Sequence, residues 1–377
     1  MRHLQKTFIL SVLLASLTLS LAACSHKNEQ NTDDEELIFK DEPVDRELKY
    51  YNAVPHDMVL IYDGGAHRNV QWNKEHFAPY ISAESDGREQ WLFDGFLFLE
   101  IKDGQGRGFA SGYEKLAARK VEWKNLLENY FAKGNGINAL NEQLAEVRNS
   151  GRISGNYEKR KIVLTVPEPI PNQTDWGQLD GRSLRFSNRQ DRLDACKWYI
   201  DYAEELFRKA NFENVELIGF YWLAEEATNS RTLASDVADY LYEKEYDFYW
   251  IPYFNSDGYS EWKNLGFNVP YYQPNYFFSE NTPYSRLQEA CDRAKKFHMN
   301  MEVEFDDRAL KGNKNWGYRL KDYLDVYEKN GVYDSLKVAY YQGGDSFYKL
   351  SKSENDEDSA LYRRLTKLII QRGQNAN

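Results

Sequence analysis

Acidic and amide side chains recur at one kind of place in this sequence, directly after short apolar runs. Asp63 follows Met58–Tyr62, Glu168 follows Lys161–Pro167, and the adjacent pair Glu225 and Glu226 follows Val215–Leu223. Asn255 follows Tyr246–Tyr253, Gln273 and Asn275 close Val269–Gln273, and Gln342 follows Ser335–Tyr341. The run Met301-Glu302-Val303-Glu304-Phe305-Asp306 alternates apolar and acidic residues throughout. Carboxylates brought together in pairs are the equipment of glycosidic bond cleavage, where one protonates the departing oxygen and the other attacks the anomeric carbon or activates water.

Alternation with period two puts Met301, Val303 and Phe305 on one face of a strand and Glu302, Glu304 and Asp306 on the other. If the apolar set packs under helices, the acidic set turns inward, where a buried charge costs several kcal/mol unless paired. An internal ion pair with a Lys or Arg of a neighbouring strand is the alternative use of Glu302. Glu225 and Glu226 are adjacent and so cannot both face the same way. With Phe220 and Trp222 under the helices, the inward set is Gly219, Tyr221, Leu223 and Glu225, which makes Glu225 the first candidate and Glu226 the reserve. Capping of a following helix near Thr228–Arg231 is the competing reading.

The elements that must position these groups are eight apolar runs of strand length, the second being Gly95–Ile101. Helical periodicity marks Tyr113–Ala132, Asp191–Ala210, Thr232–Lys244, Ser285–Phe297, Tyr318–Lys329 and Ser359–Gln371. Strands alternating with helices imply a parallel sheet with crossovers, and a count of eight predicts an α/β chain folded as a single (β/α)8 TIM barrel with a helical insertion between strands two and three. Active sites of such barrels lie at the C-terminal ends of the strands, where all the candidates fall. No Gly-rich phosphate-binding sequence follows the first strand, so no nucleotide cofactor is expected. The six His have no paired ligand spacing, and no metal is expected either.

Aromatic residues make up 15% of the chain, with 28 Tyr and 9 Trp, and such rings stack on the apolar faces of sugars. Trp222, Trp250, Tyr253, Tyr259, Trp262, Tyr271 and Tyr272 are the candidates, two or three of them expected to serve and the rest to be core. Net charge is −11 with scattered basic residues, which argues against a nucleic-acid partner. Residues 1–23 have the charged start, apolar core and small-residue cleavage site of a signal peptide, and Leu21-Ala22-Ala23-Cys24 matches a lipobox. Cys24 is thus the expected lipid anchor to a membrane, residues 24–49 a polar tether, and residues 50–377 the barrel domain. Cys196 and Cys291 are expected as buried free thiols.

The carboxylate after Phe220-Tyr221-Trp222-Leu223-Ala224 and the one in Glu302-Val303-Glu304-Phe305 resemble those of the large clan of retaining glycosidase barrels. That resemblance implies Glu225 as acid/base and Glu304 as nucleophile, although the clan usually has Asn where this chain has Ala224. Through Leu60–Gly65, Gly219–Trp222 and Trp250–Tyr253 the body also resembles a lipoprotein family of gut Bacteroidetes, domain-of-unknown-function family 4855. The expected function is glycoside hydrolase-like action on oligo- or polysaccharide by an outer-membrane lipoprotein. The alternative is a barrel that binds glycan without cleaving it.

Overall fold

The computed structural model describes residues 47–154 and 157–375. The expected signal peptide, Cys24 and nearly all of the tether lie outside the described residues.

Eight parallel strands close into a barrel: β1 (Asp57–Tyr62), β2 (Gly95–Leu99), β3 (Arg160–Val166), β4 (Val215–Trp222), β5 (Asp247–Trp250), β6 (Val269–Tyr272), β7 (Asn300–Glu304) and β8 (Val338–Tyr341), with β8 returning to β1. Their residues are buried almost without exception, as a sheet covered on both faces requires. Around them lie α1 (Lys74–Ile81), α2 (Lys120–Tyr130), α3 (Gly136–Asn149), α4 (Arg189–Ala210), α5 (Arg231–Glu243), α6 (Ser285–Phe297), α7 (Gly317–Lys329), α8 (Val332–Ser335), α9 (Ser346–Lys352) and α10 (Asp356–Asn375). The fold is thus the expected (β/α)8 barrel, with α2 and α3 forming the insertion between β2 and β3.

Differences from the sequence reading are local. Helix α1 escapes the helical pattern because Pro79 interrupts it. The helix expected from Tyr113 begins only at Lys120, since Leu116–Ala117 instead pairs with Arg107–Gly108. Residues 113–119 therefore form no helix, and Tyr113 lines a cleft at the barrel mouth. Strand β8 starts three residues late because Val332–Ser335 is a helical turn.

One irregularity sets the phase of β4. The register against β3 shifts between Leu217 and Gly219, so that Gly219 pairs with Val163 and Tyr221 with Thr165. A slip of one residue exchanges the two faces of a strand, and this bulge fixes which face Tyr221 and the residues beyond it present. Gly219 is needed there, because a Cβ would lie 2.4 Å from the Asp247 carbonyl oxygen and 2.7 Å from the Tyr249 ring.

The bottom of the barrel is closed by two aspartates that begin strands. Asp247 accepts the backbone N–H groups of Tyr51 and Asn52, each at 2.9 Å, and the Asn268 amide at 2.7 Å. Asp57 accepts Arg372 Nε from α10 at 2.9 and 3.0 Å and the Tyr340 hydroxyl at 2.7 Å. Arg372 also donates to the His56 and Leu336 carbonyls at 2.9 and 3.0 Å, and both members of the pair are buried. Removing one partner of a buried pair strands the other charge. Arg372→Ala should therefore lower unfolding free energy by about 3–5 kcal/mol in urea titrations, and adding Asp57→Asn should recover part of that loss.

Candidate active site

The acidic face of β7 does turn inward. Glu302 pairs in register with Ala339 and Glu304 with Tyr341, and both glutamates are only 1% exposed. The charge of Glu225, three residues past the end of β4, acts on both Glu302 and Glu304, and that of Glu304 acts on Glu302, although β4 is not a neighbour of β7. That influence crosses the lumen. Tyr62 of β1, Tyr221 of β4 and Tyr341 of β8 lie within the field of Glu225, with Tyr62 and Tyr341 edge to face at 5.7 Å.

The turn after β6 anchors two of the carboxyls. Gln273 Nε2 donates to Glu225 Oε1 at 3.0 Å and to the Ile251 carbonyl at 3.0 Å. Two residues on, the Asn275 backbone N–H donates to Glu304 Oε2 at 2.7 Å, and the Tyr323 hydroxyl of α7 donates to the same oxygen. Tyr113, on the segment that is not helical, donates to Glu225. Oε1 of Glu304 and Oε1 of Glu302 have no hydrogen-bond partner.

All these donors are neutral. The cations near this end are engaged elsewhere: Arg68 holds Glu100 at 2.7 Å and Arg308 holds Asp306 at 2.6 Å. Among the described residues no Lys or Arg pairs with Glu225, Glu302 or Glu304, so the internal ion pair considered for Glu302 is not formed. Burial pushes the Glu304 carboxyl up to about 8, against the pull of Tyr323 and Asn275 and with the help of Glu225. Burial, then the charges of Glu304 and Glu225, holds Glu302 well above the usual carboxylate range. Burial also raises Glu225, opposed by Gln273 and Tyr113.

A cleft of about 160 Å³ opens above the lumen, with Glu168, Glu225, Glu226 and Tyr253 in its wall. Glu225 and Glu226 are part-exposed, and the Tyr253 hydroxyl donates to Glu226 at 2.7 Å. Neither glutamate caps α5, whose N-cap is Ser230. Glu168 accepts the Ser111 N–H at 2.7 Å. A larger groove of about 580 Å³ lies on the β1–β2 side and includes Asp63, Asn129 and Asn135. Asp63 is more than a turn residue: it accepts Asn135 Nδ2 at 3.0 Å, and burial lifts its carboxyl to about 6. Phe109 borders the groove while Ala110 and Ser111 border the cleft, so this short segment touches both.

Other candidates stand apart from the cleft. Trp222 is fully buried, its indole N–H on Ser230 Oγ at 3.1 Å, and offers no face to a sugar. Tyr271 is also fully buried, in register with Asn300 at the start of β7 and within the fields of Asp57 and Asp94 near the bottom. Gln342 is a buried brace that accepts the Tyr80 hydroxyl and the Phe347 N–H at 2.9 and 3.0 Å. Asn255 is bound to Arg293 of α6, and Asp306 is occupied by Arg308. Of the stacking candidates only Tyr253 lines the cleft; Trp250 stacks on Phe267, Tyr259 on Tyr272, and the Trp262 indole donates to the Phe297 carbonyl. Sequence reasoning missed Tyr113 and Tyr323, both read only as parts of helices. Cys196 and Cys291 are buried free thiols.

Residues 57–367 match the family described as Domain of unknown function (DUF4855). No curated protein matches the chain. Among solved structures, a family 18 chitinase from Crocus vernus is 12% identical, covering 84% of this chain and 99% of its own, with a TM-score of 0.41. An endo-1,4-beta-D-mannanase from Thermotoga petrophila is 11% identical over 84% of this chain and 100% of its own, with a TM-score of 0.41. The carboxyl transferase domain of Rhizobium etli pyruvate carboxylase is 9% identical over 84% of this chain and 47% of its own, with a TM-score of 0.35.

A carboxyl raised by folding stabilises the native state fully below its ordinary value, and that contribution is lost as pH rises through the folded value. For Glu304 the window runs from 4.5 to about 8. Urea unfolding across this window should show wild-type stability falling with pH. Glu304→Gln should flatten the slope by up to about 1.4 kcal/mol per pH unit, the value for one proton. Parallel curves for the two proteins would refute the assignment.

Proposed function

The chain belongs to the family described as Domain of unknown function (DUF4855), and from the mouth it builds we propose a glycoside hydrolase-like protein that acts on oligo- or polysaccharide through Glu225 and Glu304. The observation that carries this reading is the pair of carboxyls from β4 and β7 that share one cation-free lumen, each with an oxygen held by neutral donors of the 273–275 turn.

Glycosidic cleavage needs one carboxyl protonated and its partner ionised. Like groups within each other's field do not ionise together, so such a set carries a shared proton over a wide pH range. Burial raises Glu225 and lifts Glu304 to about 8, so Glu304 keeps its proton near neutrality. At rest the proton therefore sits on the β7 carboxyl, the reverse of the order implied by resemblance to retaining glycosidases. Oε2 of Glu304 is anchored and Oε1 is buried without a partner, below the residues that line the cleft, so a ligand must reach it through the floor of the mouth. We place the protein in the cell envelope, tied to the outer membrane by a lipid on Cys24.

The burial of Glu304 favours a second reading, in which the mouth binds glycan without cleaving it. Hydrolysis of a panel of plant and host polysaccharides and aryl glycosides by the full chain separates the two. Under the hydrolase reading Glu225→Gln and Glu304→Gln each lower kcat by about 10²–10⁴-fold with folding retained. Absence of cleavage, with glycan retention in affinity gels that survives both substitutions, would leave only the binding reading.

A further inference from the structure

The cleft is unusual in what its wall offers. Three carboxyl groups, Glu168, Glu225 and Glu226, line it, and no Lys, Arg or His does. The neutral donors around it are largely spent within the protein. Tyr253 donates to Glu226, Tyr113 and Gln273 donate to Glu225, Asn229 Nδ2 donates to Ser111 Oγ at 3.2 Å, and the Ser111 N–H donates to Glu168. What remains is mostly acceptor capacity, with the Ser111 hydroxyl hydrogen and the second Asn229 amide hydrogen as the neutral donors left over. Glu168 is the telling residue: it is only 3% exposed, one of its oxygens is satisfied by Ser111, and the other, Oε1, is buried without a partner in the wall of the cleft. A buried carboxylate oxygen left unpaired is costly, and a ligand that brings a donor recovers that cost.

We propose that the cleft bounded by Glu168, Glu225 and Glu226 is a subsite for a sugar bearing a free ammonium group. This rests on reading the mouth as a carbohydrate site. A protonated amine supplies three donors and a positive charge, which matches three acceptors in a wall without cations. A uronic acid or a sulfated sugar would meet three acidic groups in the wall, with the Arg192 guanidinium behind it already bound to the Pro169 and Asn229 carbonyls, and the overall charge of −11 adds to that repulsion. An N-acetylated sugar loses both the charge and two of the three donors. The cleft volume, about 160 Å³, equals about five waters at ~30 Å³ each, so it receives one edge of a sugar residue and leaves the rest of a chain outside. Metal is a poorer occupant, because among the described residues no group of three His, Cys, Asp or Glu side chains has metal-holding geometry.

The test is calorimetric titration of the full chain with three tetrasaccharides of glucosamine, N-acetylglucosamine and galacturonic acid, at slightly acidic pH and low salt. The glucosamine oligomer should bind about tenfold or more tightly than its N-acetylated counterpart, the margin of a charge-assisted over a neutral hydrogen bond. The galacturonic acid oligomer should not bind. Raising the salt should narrow the margin, since part-exposed charges are screened. Glu168→Gln and, at the more exposed side of the wall, Glu226→Gln should each lower affinity for the glucosamine oligomer by a larger factor than for the N-acetylated one, so that the preference shrinks, with unchanged far-UV circular dichroism and thermal unfolding reporting that each variant folds. Equal affinity for the first two oligomers, binding of the uronic oligomer, no binding of any of them, or a preference that survives both substitutions would overturn the proposal. Cleavage of neutral glycans without an ammonium preference sinks this inference alone. Ammonium-selective binding without cleavage sinks the hydrolase reading alone.

Discussion

A carboxyl group taken out of water without a cation beside it must either keep its proton or be held by donors that carry no charge. The upper half of this barrel is arranged around that constraint. Glu302 and Glu304 rise from β7 into the lumen, Glu225 meets them from β4, and the groups that touch them are a glutamine, tyrosines and a backbone N–H. An arginine in place of Tyr323 or Tyr113 would lock the carboxyls in their ionised form and fix them as structure. Neutral donors fix their position and leave their protonation open, which is the property that acid–base chemistry requires.

The two ends of the barrel show the contrast within one molecule. At the bottom, Asp57 is gripped by Arg372, and Asp247 by two backbone N–H groups and Asn268, so that the residues before β1 and the last helix both dock on strand-initiating aspartates. There Asp57 has a cation beside it, although burial still lifts its carboxyl to about 6, and Asp247 has two backbone N–H groups and an amide; these buried groups tie the chain ends to the barrel. At the mouth no cation compensates the buried carboxyls, and the cost is borne by the rest of the fold. Barrels of this kind divide labour in the same way, with stability at the N-terminal face of the strands and chemistry at the C-terminal face. The cleft wall of Glu168, Glu225 and Glu226 extends the pattern outward, since it too presents acceptors with no cation among them.

Much of this was legible in the sequence because period and position are local properties. The alternation of β7 was enough to turn Glu302 and Glu304 inward, and the placing of Phe220 and Trp222 under the helices brought Glu225 to the mouth. Depth along the barrel axis was not legible, because it depends on the stagger between neighbouring strands. Tyr271 and Gln273 are two residues apart in one strand reading, yet Tyr271 sits in register with the start of β7 and Gln273 holds Glu225 at the mouth. Partners from outside the strands were also hidden. Tyr113 looked like the start of a helix and Tyr323 like one position on a helical face, and only the pairing of Leu116–Ala117 with Arg107–Gly108 and the docking of α7 bring them to Glu225 and Glu304. Asp306 and Gln342 ended apolar runs just as the cleft residues did, but Arg308 and Tyr80 claim them first.

The central claim is that the mouth holds a protonated carboxyl at neutral pH because no cation reaches it. Infrared difference spectroscopy of the carboxylic acid C=O stretch, recorded on wild type and Glu304→Gln between pH 5 and 9, tests it directly. The account predicts a protonated-acid band that persists at pH 7 and weakens towards pH 9, with the weakening component missing from the Glu304→Gln protein. A spectrum without protonated acid at pH 7, or one that Glu304→Gln leaves unchanged, would contradict it.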